Sequence, residues 1–118
     1  MQFDHERLDV YKVAMQFAVL TAKIMDALPQ GKRYIADQIG RASLSIGLNI
    51  AEGAGEFSPA EKARFYRMAK RSAIECAAIL EICRELMLIE DNLLTEGRQM
   101  LIKTVSMMIK LIKSVESK

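Results

Sequence analysis

Residues 58–91 read SPAEKARFYRMAKRSAIECAAILEICRELMLIED. Ser58 is placed to cap a helix, Pro59 occupies the first helical position and Glu61 the third. No glycine or proline interrupts residues 60–91. The spacing therefore predicts one helix from Ser58 to about Ile89, roughly 32 residues and about 48 Å long. Asp91 or Asn92 then opens a turn. Met68, Ser72, Glu75, Ile79, Ile82 and Leu86 recur every three or four residues along it and are the predicted seam. That seam places Glu75 among hydrophobes, where a carboxylate must be paired or hydrogen-bonded.

Three more helices are expected around this one. Upstream, Leu8, Tyr11, Met15, Ala18, Ala22 and Met25 form one stripe that Pro29 and Gly31 end, with Asp4 or Asp9 as the cap. Ile35, Ile39, Ala42, Ile46 and Ile50 form a second stripe, over about Tyr34 to Glu52, with Gly53 and Gly55 as its stop. Downstream, Leu94, Leu101, Val105, Met108, Ile112 and Val115 mark a fourth helix from about Leu93 to Val115. The connections between helices are short, which makes sequential helices antiparallel neighbours. The expectation is an all-α chain, an antiparallel up-down-up-down four-helix bundle forming a single domain over residues 1–118.

Composition agrees. At 118 residues the chain should bury roughly 65% of its unfolded surface, enough for one core. Apolar residues make up 51% and charged residues 27%, which is globular composition. Two cysteines, Cys76 and Cys83, lie about 10.5 Å apart on one predicted helix, too far for a disulfide. They read as small buried hydrophobes of a reducing compartment. The charged N-terminus lacks a signal-peptide core, and no run of 18 apolar residues exists to span a membrane. A cytoplasmic location and no membrane partner are expected.

The fourth helix carries more apolar surface than one core uses. Leu93, Met100, Met107 and Leu111 flank its stripe on one side, Ile102 and Ile109 on the other. Surplus apolar surface marks an interface, so self-association is expected. The second helix carries a polar row, Arg41, Ser45, Asn49 and Glu52, interrupted by Leu48. With Ser72 and Glu75 it is expected to form a structural polar network, Arg41 and Asn49 being the natural partners of Glu75. An acid–base reading of Glu52 and Glu75 lacks a nucleophile, a metal or a phosphate cradle.

Charge is uneven along the third helix. Lys62, Arg64, Arg67, Lys70 and Arg71 against Glu61 leave residues 58–71 at +4. Arg84 against Glu75, Glu81, Glu85, Glu90 and Asp91 leaves residues 72–91 at −4. This opposes the helix macrodipole, which favours anions at the N-terminus. One explanation is a phosphate-bearing partner on Lys62, Arg64, Arg67, Lys70 and Arg71, joined by Lys103, Lys110 and Lys113. The other is pairing with acids of neighbouring helices or subunits. The total of 17 basic against 15 acidic residues, a net +2, names no partner. His5 is the only histidine, so neither a histidine metal site nor a Ser-His-Asp triad is expected. No catalytic residue, metal or cofactor is predicted.

Arg41 to Gly55, RASLSIGLNIAEGAG, resembles the signature RAxxSIxxNIAEGxG of the four-helix-bundle family of 23S rRNA intervening-sequence proteins. The accessory variability protein of diversity-generating retroelements belongs to the same fold group. Leu8-Asp9-Val10-Tyr11 with Ala14 resembles the family's opening helix. Pro29 and Gln38 match, and Phe65, Ala69, Ser72 and Glu75 resemble its FxxxAxxSxxE pattern. The resemblance implies a ring-like homopentamer without catalysis. For the retroelement member it implies partners of two kinds, a reverse transcriptase and nucleic acid, RNA or DNA. Arg41, Ser45, Asn49, Glu52, Ser72 and Glu75 carry over as structural positions. The function expected is a nucleic-acid-binding accessory or scaffold protein, against a protein–protein adaptor that uses the apolar fourth helix.

Overall fold

A computed structural model describes residues 1–117. Four helices follow a short 3₁₀ turn at Asp4–Arg7: α1 Asp9–Ala27, α2 Arg33–Gly55, α3 Pro59–Glu85 and α4 Asp91–Glu116. Among the described residues α1 packs on α2 and α4, and α3 packs on α2 and α4, with no diagonal contact. This is the expected four-helix bundle, 47 × 27 × 21 Å.

The boundaries differ from expectation where backbone capping decided them. Asp4 caps no long helix; it opens the 3₁₀ turn, where Glu6 Oε1 accepts from the Phe3 amide at 3.1 Å. Helix α2 does not stop at Gly53. It continues to Gly55 because two of its last carbonyls have a donor: Lys62 Nζ lies 3.3 Å from Gly53 O and 2.9 Å from Ala54 O. Gly53 also lies under the Tyr66 ring, where an added Cβ would come within 2.6 Å of Tyr66 Cε1. A glycine is required there for α2 and α3 to approach. The N-terminus of α3 is as expected, Ser58 Oγ accepting from the Glu61 amide at 3.1 Å.

Helix α3 ends at Glu85, four residues early. Met87 adopts φ 52°. The Leu88 amide donates to Cys83 O and the Met87 amide to Arg84 O, the paired bonds of a Schellman motif. Leu88 packs back onto the core. Asp91 and Asn92 open no turn; they form the first turn of α4, where the acidic charge of Asp91 suits the helix N-terminus.

The α2 stripe lies in the core as predicted, with Ile39, Ile46 and Ile50 at most 1% exposed. The α1 and α3 seams are rotated from the predicted ones. In α1 the buried side chains are Val10, Val13, Ala14, Phe17, Leu20, Thr21 and Ile24, whereas Met15 and Ala22 face outward. In α3 the seam is Ala63, Tyr66, Ala69, Ala73, Cys76, Ile79, Leu80 and Cys83. Three of these are alanines, so the neighbouring helices come close and the larger Met68, Ile82 and Leu86 are left outside. Gly97 does the same on α4, where a Cβ would meet Leu80 Cδ1 at 2.9 Å. Thr21 Oγ1 donates to Phe17 O at 2.9 Å and lies 3.1 Å from Ser43 Oγ, which satisfies both buried hydroxyls between α1 and α2.

Cys76 and Cys83 are free and buried. Burial, with Glu75 nearby, pushes the Cys76 thiol up to about 12, and burial raises Cys83 as well. Both act as small core hydrophobes.

Candidate assembly and nucleic-acid surface

The outward face of α3 carries most of the predicted basic residues, and the helix places them at different angles. Arg64, Arg67 and Arg71 share the exposed side. Lys62 points the other way, onto the C-terminus of α2, so the five basic residues do not form one face. Arg64 is held by Glu61 through two bonds, Nε to Oε2 at 2.9 Å and Nη2 to Oε1 at 3.1 Å. That pair draws the Glu61 carboxyl below the usual carboxylate range and raises the Arg64 guanidinium. Arg67 is paired with Glu116 at the end of α4. Lys70 and Arg71 have no hydrogen bond or ion pair among the described residues. Lys103, Lys110 and Lys113 are exposed on α4.

The polar network is smaller than predicted. Its centre is Ser45, whose hydroxyl oxygen accepts from Ser72 Oγ at 2.8 Å and from Asn49 Nδ2 at 2.9 Å; Asn49 Nδ2 also reaches Ser45 O at 2.8 Å. These three half-buried residues tie α2 to α3. Glu75 is not buried among hydrophobes. It is exposed and accepts from Gln38 Nε2 at 2.7 Å, so Gln38, and neither Arg41 nor Asn49, is its partner. The reason is the rotated α3 seam, which turns Glu75 outward. Arg41 and Glu52 are exposed as well and join no hydrogen bond in this network. Gln38 matched the resemblance, and its place one turn before Arg41 was the available signal.

Glu52 and Glu75 line different hollows. Glu52 lies beside Phe3, His5 and Glu56, whereas Glu75 borders a groove of about 470 Å³ with Ser45, Asn49, Arg71, Ser72 and Ile74. The two carboxylates make no acid–base pair. Among the described residues no cluster of three or more His, Cys, Asp or Glu is placed to hold a metal ion. No helix among them is long and apolar enough to cross a membrane.

Large apolar side chains remain outside the core. On α4, the flank of Leu93, Met100, Met107 and Leu111 packs partly onto the chain's own core. Ile102 and Ile109 on the other flank stay exposed. They border a groove of about 410 Å³ between α3 and α4, with Ile74, Ala77, Leu101 and Val105. The surplus is thus shared by α3 and α4, where the sequence placed it on α4 alone. Leu44 and Leu48 on α2 are exposed too.

No curated protein matches the chain. A crystal structure of a protein of unknown function from the S23 ribosomal protein family of Bacteroides thetaiotaomicron has the same fold, with a TM-score of 0.82. It is 24% identical, and the match covers 88% of this chain and 98% of that one. The family described as 23S rRNA-intervening sequence protein matches residues 6–110, nearly all of α1 through α4. The chain belongs to the 23S rRNA-intervening sequence protein family.

Proposed function

We propose that this chain is a non-catalytic helical scaffold that assembles with copies of itself, in the ring of five that its family resemblance implies, and offers basic side chains to nucleic acid. The supporting observation is the apolar band across α3 and α4. Ile74, Ile102 and Ile109 are between 39% and 57% exposed and border one groove. Apolar surface of this kind beside a complete core is surface awaiting a partner.

The basic part of the proposal rests on Arg64, Arg67, Lys70 and Arg71. Lys70 and Arg71 are without acid partners among the described residues, and the partners of Arg64 and Arg67 are exposed. An exposed ion pair contributes at most about 1 kcal/mol, so a phosphate can displace the carboxylate. Lys62 is outside this set because it is committed to α2. A second reading has a specific observation behind it: Lys62, Arg64 and Arg67 all have partners within the chain, as in a protein–protein adaptor with no nucleic-acid role.

Binding of single-stranded RNA across a salt series separates the two. The scaffold reading predicts binding at about 50 mM salt that weakens steeply as salt rises. Replacing Arg64, Arg67 and Lys70 together by alanine should lower the slope of log K against log salt by about 2 to 3. An unchanged slope, or no binding by the natural chain, leaves the adaptor, whose partner then includes the reverse-transcriptase class.

A further inference from the structure

Phe57, in the link between α2 and α3, is 99% exposed. An apolar residue just before a capping serine often packs on the fourth residue of the helix. Here that residue is Lys62, whose side chain is turned onto the Gly53 and Ala54 carbonyls. The Phe57 ring is left clear of the protein, and the fold makes no use of it.

Arg64, about 10 Å further along α3, presents a second flat surface. Its guanidinium carbon lies 4.3 Å from the centroid of the Phe65 ring, so that ring covers one face of the group. Each nitrogen also has a partner. Nε and Nη2 donate to Glu61, and Nη1 points at Met68 Sδ, 3.8 Å away. A ring beneath and partners at its edges fix the orientation of the guanidinium. What remains free, on a side chain 53% exposed, is the opposite face.

We infer that Phe57 and the outer face of Arg64 are stacking shelves for unpaired bases, and that the nucleic acid this surface takes is single-stranded. Every base has a π face, and single strands are held by stacking on aromatic rings and on arginine planes. Bases within a duplex are stacked on one another and offer neither shelf a face. The two shelves are far enough apart to serve different bases of one strand. Arg67, Lys70 and Arg71 follow on the same helix, where they meet the phosphates of that strand. Arg64 keeps its bonds to Glu61 in this arrangement and takes part through its face. The loss of slope expected from the alanine triple is then about 2, one for each of Arg67 and Lys70. The inference rests on the nucleic-acid part of the proposed function, names the class of strand, and does not depend on the subunit number.

The test is binding of the full chain to a short single-stranded RNA and to a long duplex of the same sequence, with circular dichroism to establish folding. Phe57→Ala should weaken single-strand binding about 5-fold to 150-fold. The slope of log K against log salt should not change, because no charge is lost. Arg64→Lys keeps the charge and loses the plane, and it should weaken single-strand binding about 5-fold or more at the same slope. Duplex binding should respond to neither variant. The natural chain has no tryptophan, so Phe57→Trp supplies a single reporter. The single strand should quench its fluorescence and shield it from acrylamide, and bound duplex should do neither. Either Phe57→Ala or Arg64→Lys binding the strand as tightly as the natural chain would overturn the inference and leave the scaffold reading standing. So would a tryptophan whose fluorescence ignores the bound strand, or one already shielded from acrylamide before any strand is added, which would assign this position to a contact between copies. A natural chain that binds no strand at about 50 mM salt would overturn both.

Discussion

Lys62 Nζ donates to the carbonyl oxygen of Ala54 at 2.9 Å and so closes the C-terminus of α2 from the first turn of α3. A cation at that position also suits the negative end of the α2 dipole. Lys62→Met should therefore cost about 1 kcal/mol of stability, the size of a partly exposed charged hydrogen bond. It should leave the salt dependence of RNA binding unchanged. Urea denaturation and the salt series check the two halves separately.

Ser45 joins α2 to α3 through Ser72 and holds Asn49 on its own helix. Ser72→Ala removes the hydroxyl that Ser45 receives from the facing helix and should cost about 1 kcal/mol. In a double-mutant cycle with Ser45→Ala the two losses should fall short of additive, because both remove the same bond. Additive losses would show that the two hydroxyls do not act on each other.

Met87 sits in the left-handed region with its side chain 88% exposed. The conformation costs a residue with a Cβ about 1 kcal/mol or more, and nothing in the core depends on this side chain. Met87→Gly should raise stability by about 0.5–1 kcal/mol in thermal or urea unfolding while leaving the helix content unchanged.

Some of the bundle was legible in the sequence because large residues announced it. Ile35, Ile39, Ile46 and Ile50 repeat at helical spacing and lie in the core as the spacing required. Ser58, Pro59 and Glu61 start α3 as their chemistry dictates. The rest was hidden by small residues. The α3 seam is built on Ala63, Ala69, Ala73 and Cys76, which carry little hydrophobic signal, whereas Ile74 and Ile82, which carry more, face outward. One rotation of that helix moved Glu75 from the predicted core to the surface and removed Arg41 from its side. The polar centre Ser45–Asn49–Ser72 survived because it lies on the α2–α3 boundary in either rotation. Gly55 does end α2, whereas Gly53 read as a stop because sequence alone shows neither Tyr66 above it nor the lysine that caps the Gly53 and Ala54 carbonyls.

Cys76 and Cys83 make stability depend on alkaline pH. Their thiols are raised in the folded chain, Cys76 to about 12 from an ordinary value near 9. Above pH about 9 the unfolded chain loses thiol protons that the folded chain keeps. This part of the stability is whole below about pH 9 and declines as pH rises toward 12. Between pH 8 and pH 10, urea titrations should show a smaller loss of stability for the Cys76→Ala, Cys83→Ala double variant than for the natural chain. The double variant should itself be less stable at pH 8, since it leaves small voids.

The central claim is that the apolar surface of α3 and α4 is covered by other copies of the chain. Sedimentation equilibrium over a wide concentration range tests it most directly. The account predicts a mass several times the 13.3 kDa of one chain, persisting on dilution into the micromolar range. A single 13.3 kDa species at the highest concentrations would contradict it.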